Sequence, residues 1–475
     1  MPPNVVLIVA DDLGYGDLAC SGNRFARTPN IDAIASSGVT LHEHYSGSPV
    51  CSPARAALLT GRYPHRTGVI DTREVRGLSR LSAREVTLAD RLRAAGYSTG
   101  LVGKWHLGSV GARYAPYNRG FDEFVGFLGG SSDYWDYWLS HDDRYTRSDG
   151  TYLTDRLTSE AVDFIARHRR HPFFLEVAYN APHSPLQAPQ DSLAAFETLE
   201  DLSPEVKTIY AMIATMDAGI GRILSALDDF HVSDDTIVIF TSDNGPDMSG
   251  SPQFGGEPKS ELVRFNAGLR GSKGVVFDGG VRVPAFVRWP GGLGQTATTI
   301  SLPTHFVDWT PTILEACAVT PMDYPAPAPA LDGHSFMPLL QGDASAARTT
   351  LAWQWNRYAP LPRCNAALRR GPWKLVWPAL DGSLHALPED SAADRRLDDP
   401  FEEPRTLEPY SADVVREISS PAAPLLFDMS RDPGETTDLA SSQPALVREM
   451  SDELDAWFDD VHSEWRAVIE AGLCN

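Results

Sequence analysis

Val5-Val6-Leu7-Ile8-Val9-Ala10-Asp11-Asp12 is an unbroken apolar run that stops on two adjacent carboxylates. A run without polar alternation suits a strand covered on both faces, as in the middle of a largely parallel sheet. The pattern recurs. Thr99-Gly100-Leu101-Val102 precedes Lys104 and His106, Phe173 to Tyr179 precedes His183, and Thr236 to Thr241 precedes Asp243-Asn244. Helical periodicity lies between these runs: Arg84 to Ala95 closed by Gly96, Thr154 to His168, and Glu205 to Leu227. In the last of these Ile209, Ile213, Met216, Ile220, Ile223 and Leu227 form one stripe, which predicts core packing rather than a binding face. Strands alternating with helices predict an α/β class: a large, mainly parallel sheet flanked by helices. Each polar candidate follows the C-terminal end of a strand, the edge at which open α/β sheets form ligand sites.

At 475 residues the chain exceeds one typical core. After about residue 345 it becomes richer in proline and turns, with short strands such as Trp373 to Trp377 and Leu425 to Asp428. A final amphipathic helix is expected over Ala445 to Ile469. The expected division is a catalytic domain at 1–355 and a C-terminal α+β subdomain at 356–475, with Pro325 to Pro329 a stiff connector. The net charge of −22 argues against nucleic acid and anionic membrane as partners. No apolar window of about 18 residues predicts a membrane span. The five cysteines (Cys20, Cys51, Cys317, Cys364, Cys474) are scattered and make no disulfide framework. Met1-Pro2-Pro3-Asn4 leads straight into the first strand, so the expected location is cytoplasmic unless a leader has been removed. Oligomeric state is not readable.

Cys51-Ser52-Pro53-Ala54-Arg55 is followed by Ala56-Ala57-Leu58-Leu59-Thr60-Gly61-Arg62. Pro53 suits a first helical position and Gly61 a C-terminal cap, placing Cys51 just before a short helix whose start favours an anion. Arg55 lies one turn on, on the same face. Asp11, Asp12, Asp243 and Asn244 offer three carboxylates and an amide oxygen, hard ligands suited to Ca²⁺ or Mg²⁺. In extended chain Lys104 and His106 point the same way, one a fixed charge and the other a group that moves protons near neutrality. His183 is displayed by the stiff loop Ala181-Pro182-His183-Ser184-Pro185. Ser131 to Arg147 reads equally as an aromatic rim for a substrate ring or as a packed loop. Asp217 reads as structural, and His305 and His334 as ordinary polar residues.

The Cys51 to Arg62 motif resembles the signature of type I sulfatases, members of the alkaline phosphatase superfamily. Asn4 to Asp17 resembles that family's N-terminal motif, and Gly96 to Gly108 its second signature. Asn266 to Gly274 followed by Asp278 to Pro284 resembles its lysine motif, although Gly268, Ser272 and Asp278 depart from the commoner residues. The resemblance implies an alkaline-phosphatase-like fold and hydrolysis of sulfate esters. It implies that Cys51 is oxidised to formylglycine by a maturation enzyme. It also implies a divalent ion, usually calcium, held by Asp11, Asp12, Asp243, Asn244 and the modified Cys51. Arg55 would then favour the charged nucleophile, while Lys104, His183 and Lys273 neutralise the sulfate. Lys273 or His183 would protonate the leaving oxygen, and His106 would take the proton that releases sulfate. Two other readings stay open: a phosphodiesterase or phosphonate monoester hydrolase of the same superfamily, against which Asn244 argues, and a non-catalytic sulfate-binding protein if Cys51 is unmodified. The substrate is expected to be a small sulfated anion.

Overall fold

The computed structural model describes residues 2–142, 144–249, 259–294, 297–320, 328–397, 401, 408–420 and 422–474. Residues 325–327 of the expected connector lie outside them. The opening run is strand β1 (Asn4–Ala10), every residue of it buried. It is central in a ten-stranded sheet. The other strands of that sheet are β2 (Val39–Leu41), β4 (Ser98–Lys104), β5 (Glu123–Phe127), β6 (Trp138–His141), β7 (Arg144–Arg147), β8 (Phe173–Ala178), β9 (Thr236–Ser242), β10 (Ala285–Arg288) and β11 (Thr298–Ile300). Their order is β11-β2-β10-β9-β1-β8-β4-β5-β6-β7. From β9 to β5 all neighbours run parallel; antiparallel pairs appear only toward the edges. Two short strands, β3 (His44–Tyr45) and β12 (Thr304–His305), pair separately.

Both faces of the sheet are covered, as the apolar runs require. Val5, Leu7 and Val9 enter a core shared with Leu58, Leu92 and Trp309, whereas Val6, Ile8 and Ala10 enter one shared with Phe164, Ile213 and Met216. Helices Leu153–His168 and Pro204–Asp229 close the second face. The helix expected from Arg84 begins only at Leu88, because Thr87 and Asp90 cap it reciprocally. Asp217 is structural: its carboxylate accepts from the Ile31 amide at 2.8 Å and the Asn30 amide at 3.1 Å, at the start of the Pro29–Ser36 helix.

A four-stranded antiparallel sheet follows, from β13 (Thr350–Gln354), β14 (Ala366–Arg370), β15 (Trp373–Trp377) and β16 (Leu425–Asp428). Its first strand falls just before the expected division at residue 355. The terminal helix spans Pro444–Glu470. Its Glu464 pairs with Arg62 and Arg66, tying it to the turn after the Cys51 helix. Among the described residues no helix is long and apolar enough to cross a membrane.

His44 is fully buried, with its Nδ1 2.8 Å from Thr304 Oγ1 and its Nε2 accepting from the Trp309 indole at 2.9 Å. Those bonds fix a neutral ring, and burial pushes its pKa from 6.5 down to about 3. Between those values the unfolded chain binds the extra proton, so stability is full above pH 6.5 and is lost as pH falls toward 3. From pH 7 to 5 this ring alone should remove about 2 kcal/mol. Urea unfolding of wild type and His44→Phe at both pH values checks it: the pH loss should be smaller in the variant by that amount.

Candidate active site

Four neighbouring parallel strands, β9, β1, β8 and β4, end at the same edge of the sheet, and their next residues form the site. The Asp243 amide donates to Ala10 O at 3.0 Å, and the Asp12 amide donates to Asp243 Oδ1 at 3.2 Å, locking the two acidic turns together. Asp12 has φ +63°, a left-handed conformation that Asp tolerates better than most residues and that is enriched at functional sites. Arg264, bidentate to Asp17 at 2.8 and 2.9 Å, also donates to Asp12 O. The segment from Gly250 to Arg264 reads from the sequence as a determinant of the leaving group; its residues 250–258 lie outside those described, and its hold on Asp12 through Arg264 emerges only in the fold.

Cys51 is the first residue of helix Cys51–Thr60, not the residue before it, and Pro53 is its third. The helix is buried along its whole length and ends at Gly61, whose φ of +69° suits the left-handed cap. Arg55 does lie one turn on. Its guanidinium grips Asp243 Oδ2 through Nε at 3.0 Å and Nη2 at 2.8 Å. Lys104 Nζ sits 2.6 Å from Asp11 Oδ2, and Lys273 Nζ 2.7 Å from Asp12 Oδ2. Three buried carboxylates therefore face three buried cations, one to one. His183 Nε2 adds a longer approach to Asp12, at 3.6 Å.

Lys104 and His106 do not share one side of an extended chain as the sequence predicts. The strand stops at Lys104, and His106 turns away with φ +57°. Lys104 thus reaches the carboxylates, while His106 lines the cleft above Cys51 together with His183 and Lys273. Gly130 allows this: a Cβ there would lie 2.8 Å from the His106 ring. The His183 loop is held from below by Tyr134, whose hydroxyl donates to the carbonyls of Asn180 and His183 at 2.8 and 2.9 Å. The aromatic segment thus divides. Tyr134 is packed, whereas Tyr137, Trp138, Asp136 and Arg147 line a neighbouring cavity of about 580 Å³. The Lys273 loop is braced by the C-terminal sheet. Asn365 donates to Gly274 O at 2.8 Å, and Lys374 pairs with Asp278 at 2.7 Å.

Electrostatics follow from burial. Burial, together with Asp11, pushes Asp243 up to about 6, although Arg55 opposes it. Burial also raises Asp12, but Lys273 and His183 outweigh it and hold that carboxyl below the usual range. Burial and Lys104 drive His106 well down, and burial and Lys273 bring His183 to about 4, so both rings are neutral at pH 7. The Cys51 thiol is pushed up by burial, which disfavours a thiolate.

The residues present suit a hard divalent cation. Oxygens of Asp11 and Asp243 lie within 4.8 Å of each other and of Cys51 Sγ. Asp11 Oδ1 and Asn244 Oδ1 are buried without a hydrogen-bond partner, a costly arrangement that a metal ion resolves. The cleft itself holds about 320 Å³. Its walls include residues that sequence reading passed over: Thr72, Arg73, Glu74 and Ser79 from one loop, and Ser391 and Asp394 from helix Pro388–Leu397. They come from segments with no periodicity or motif, so only folding reveals them.

A buried cysteine at a helix start, a hard-ligand cluster and converging cations on an α/β sheet edge fit a hydrolase of oxyanion esters with an alkaline-phosphatase-like fold. The family model described as Sulfatase matches residues 3–319, and the chain belongs to that family. It is 32% identical to human arylsulfatase A, over 92% of this chain and 83% of the relative. To the steryl-sulfatase of Mus musculus it is 31% identical, over 96% and 81%. The crystal structure of Ps i-CgsB in complex with k-i-k-neocarrahexaose superposes with a TM-score of 0.76 at 28% identity, covering 98% of both chains. The protein is a sulfuric ester hydrolase, and its family implies a metal ion and a modified cysteine.

Proposed function

We propose that this protein hydrolyses sulfate esters of carbohydrates, with Cys51 matured to formylglycine by a separate enzyme and Ca²⁺ as the ion. The observation that carries the substrate class is the cleft lining. Among the described residues around it, Leu128 and Pro185 are apolar, while Thr72, Ser79, Ser109, Ser131, Ser184 and Ser391 bring hydroxyls. Ligand pockets for flat apolar molecules are lined mainly by hydrophobic and aromatic groups. This lining suits a polyhydroxylated leaving group, and the carbohydrate complex of Ps i-CgsB, a related structure, points the same way.

Asp11, Asp12, Asp243, Asn244 and position 51 would hold the ion, which when bound supplies charge to stabilise a developing oxyanion. Formylglycine supplies a hydrated aldehyde as nucleophile, with a second hydroxyl through which sulfate is later expelled. Arg55 fixes Asp243 and adds positive charge beneath the nucleophile. Lys104 and Lys273 neutralise Asp11 and Asp12; were a cation to cover those carboxylates, the ammonium groups would be available to the sulfate oxygens. This is how an acidic chain can take an anion. His183 Nδ1 lies 2.7 Å from Ser184 O, so the neutral ring donates there and presents Nε2 only as an acceptor. Lys273 is therefore the donor to the leaving oxygen, and neutral His106 the base that takes the proton of the second hydroxyl.

The test is free sulfate released from a panel of aryl, monosaccharide, oligosaccharide and N-sulfo substrates, using protein whose intact mass is about 18 Da below the sequence mass. Turnover of aryl sulfate with none of any sugar sulfate would refute the carbohydrate reading. Chelation should lower activity at least ~100-fold, and Ca²⁺ should restore it better than Mg²⁺, because the donors outnumber what Mg²⁺ ordinarily takes from protein. Metal content by mass spectrometry checks the same point without activity.

The location proposed is cytoplasmic, and fractionation of the native host against a periplasmic marker tests it.

A further inference from the structure

Part of the cleft wall is built from two segments far apart in sequence, the loop carrying Thr72 to Ser79 and the helix Pro388–Leu397. Two ion pairs join them: Arg73 Nη1 meets Asp394 Oδ2 at 2.8 Å, and Arg76 Nε meets Asp390 Oδ2 at 2.5 Å. The other Asp394 oxygen accepts the Val75 amide, also at 2.8 Å. Among the described residues each carboxylate oxygen accepts one bond and keeps capacity for another. A residue outside both segments also holds the helix, because Asp390 accepts from Tyr358 Oη at 2.8 Å. Asp394 is therefore an acceptor fixed in place before any ligand arrives, with Ser391 one turn before it on the same wall. The charges on this wall are balanced, Arg73 against Asp394 and Arg80 against Glu74. The same cleft also carries Lys273, His183 and His106.

We propose that Asp394, with Ser391, forms the subsite that reads a free hydroxyl of the sugar ring beside the scissile sulfate, and that Arg73 is its positioning residue. The proposal rests on the carbohydrate reading above. The ligand class is a neutral sugar with one sulfate. A hydroxyl can donate to the fixed carboxylate, whereas a second sulfate at that carbon would meet its charge with no donor to offer. A site built to bond a substrate hydroxyl also rejects the analogue that lacks it, because its polar groups are then left unpaired.

The experiment takes whichever monosulfated sugar the panel turns over fastest, together with its deoxy and disulfated analogues at the neighbouring carbon and a small aryl sulfate. Wild type should prefer the monosulfated sugar over either analogue by at least ~10-fold in kcat/KM. Asp394→Asn keeps the side-chain size and an acceptor oxygen but loses the charge, and should narrow the preference over the disulfated sugar at least ~10-fold. Its loss on the monosulfated sugar should exceed its loss on the aryl sulfate by a similar factor. Arg73→Gln should narrow the same preference to a smaller degree. Should Asp394→Asn fail to fold, Ser391→Ala removes one hydroxyl and must lower the preference over the deoxy analogue. Equal losses on every substrate, or a disulfated sugar cleaved as well as the monosulfated one by wild type, overturn the subsite. Aryl sulfate turnover with no sugar sulfate turnover overturns the carbohydrate reading and the subsite with it. Sugar turnover without discrimination overturns the subsite alone.

Discussion

Cys51→Ala should leave a folded protein that releases no sulfate, with kcat/KM reduced at least ~10⁴-fold. Losses of this size follow removal of a covalent nucleophile, since the remaining binding groups alone give only residual catalysis. The substitution takes one sulfur atom from a buried helix start, so its cost in folding should be about 1 kcal/mol. The two effects are separable by measuring urea unfolding beside turnover. Cys51→Ser is the sharper companion. It retains a hydroxyl but lacks a second one, so it should be equally inactive, and its intact mass should show no loss beyond the substitution. The wild-type thiol gives no alternative route, because burial holds it protonated. Activity within tenfold of wild type in the alanine variant would rule out position 51 as the nucleophile.

Asp243→Ala should be costly in two independent ways. It removes a proposed metal ligand, and activity should fall at least ~10³-fold with a matching loss of bound metal. It also strands Arg55, whose side chain is 1% exposed and whose Nε and Nη2 both bond Asp243. Breaking a buried pair by removing one partner costs about 3–5 kcal/mol, because the remaining charge stays desolvated. The double variant Asp243→Ala/Arg55→Met should recover much of the stability and none of the activity. If the double variant is no more stable than the single one, the buried pair is not what Asp243 contributes to folding.

Several features of the fold could be read before any coordinates. The runs at Val5, Thr99, Phe173 and Thr236 are apolar on both alternating faces, and a strand can satisfy that only inside a covered sheet. They turned out to be the four adjacent strands at its centre. The position of the proposed ligands was legible for the same reason: a strand that ends in Asp11-Asp12 or Asp243-Asn244 delivers its carboxylates at one edge. Gly61 marked the end of the Cys51 helix because few other residues accept a left-handed cap. Errors of detail came where local rules competed. Thr87 and Asp90 captured a helix start expected four residues earlier, and His106 left the extended conformation that its spacing from Lys104 assumed.

By itself, then, the sequence determined the layered α/β class, the edge of the sheet that carries the site, and the residue types available there, because periodicity and turn chemistry are local. The pairing of Arg55 with Asp243, Lys104 with Asp11 and Lys273 with Asp12 was decided only in the folded chain. So was the use of Tyr134 to hold the His183 loop. The cleft wall from Arg73 and Asp394 belongs to the same class. These contacts join positions separated by tens to hundreds of residues, and no local rule sets the distance between such segments. Burial then gives them their strength, since an ion pair that is weak in water becomes a fixed structural element once the sheet, its helices and the C-terminal segment exclude solvent around it.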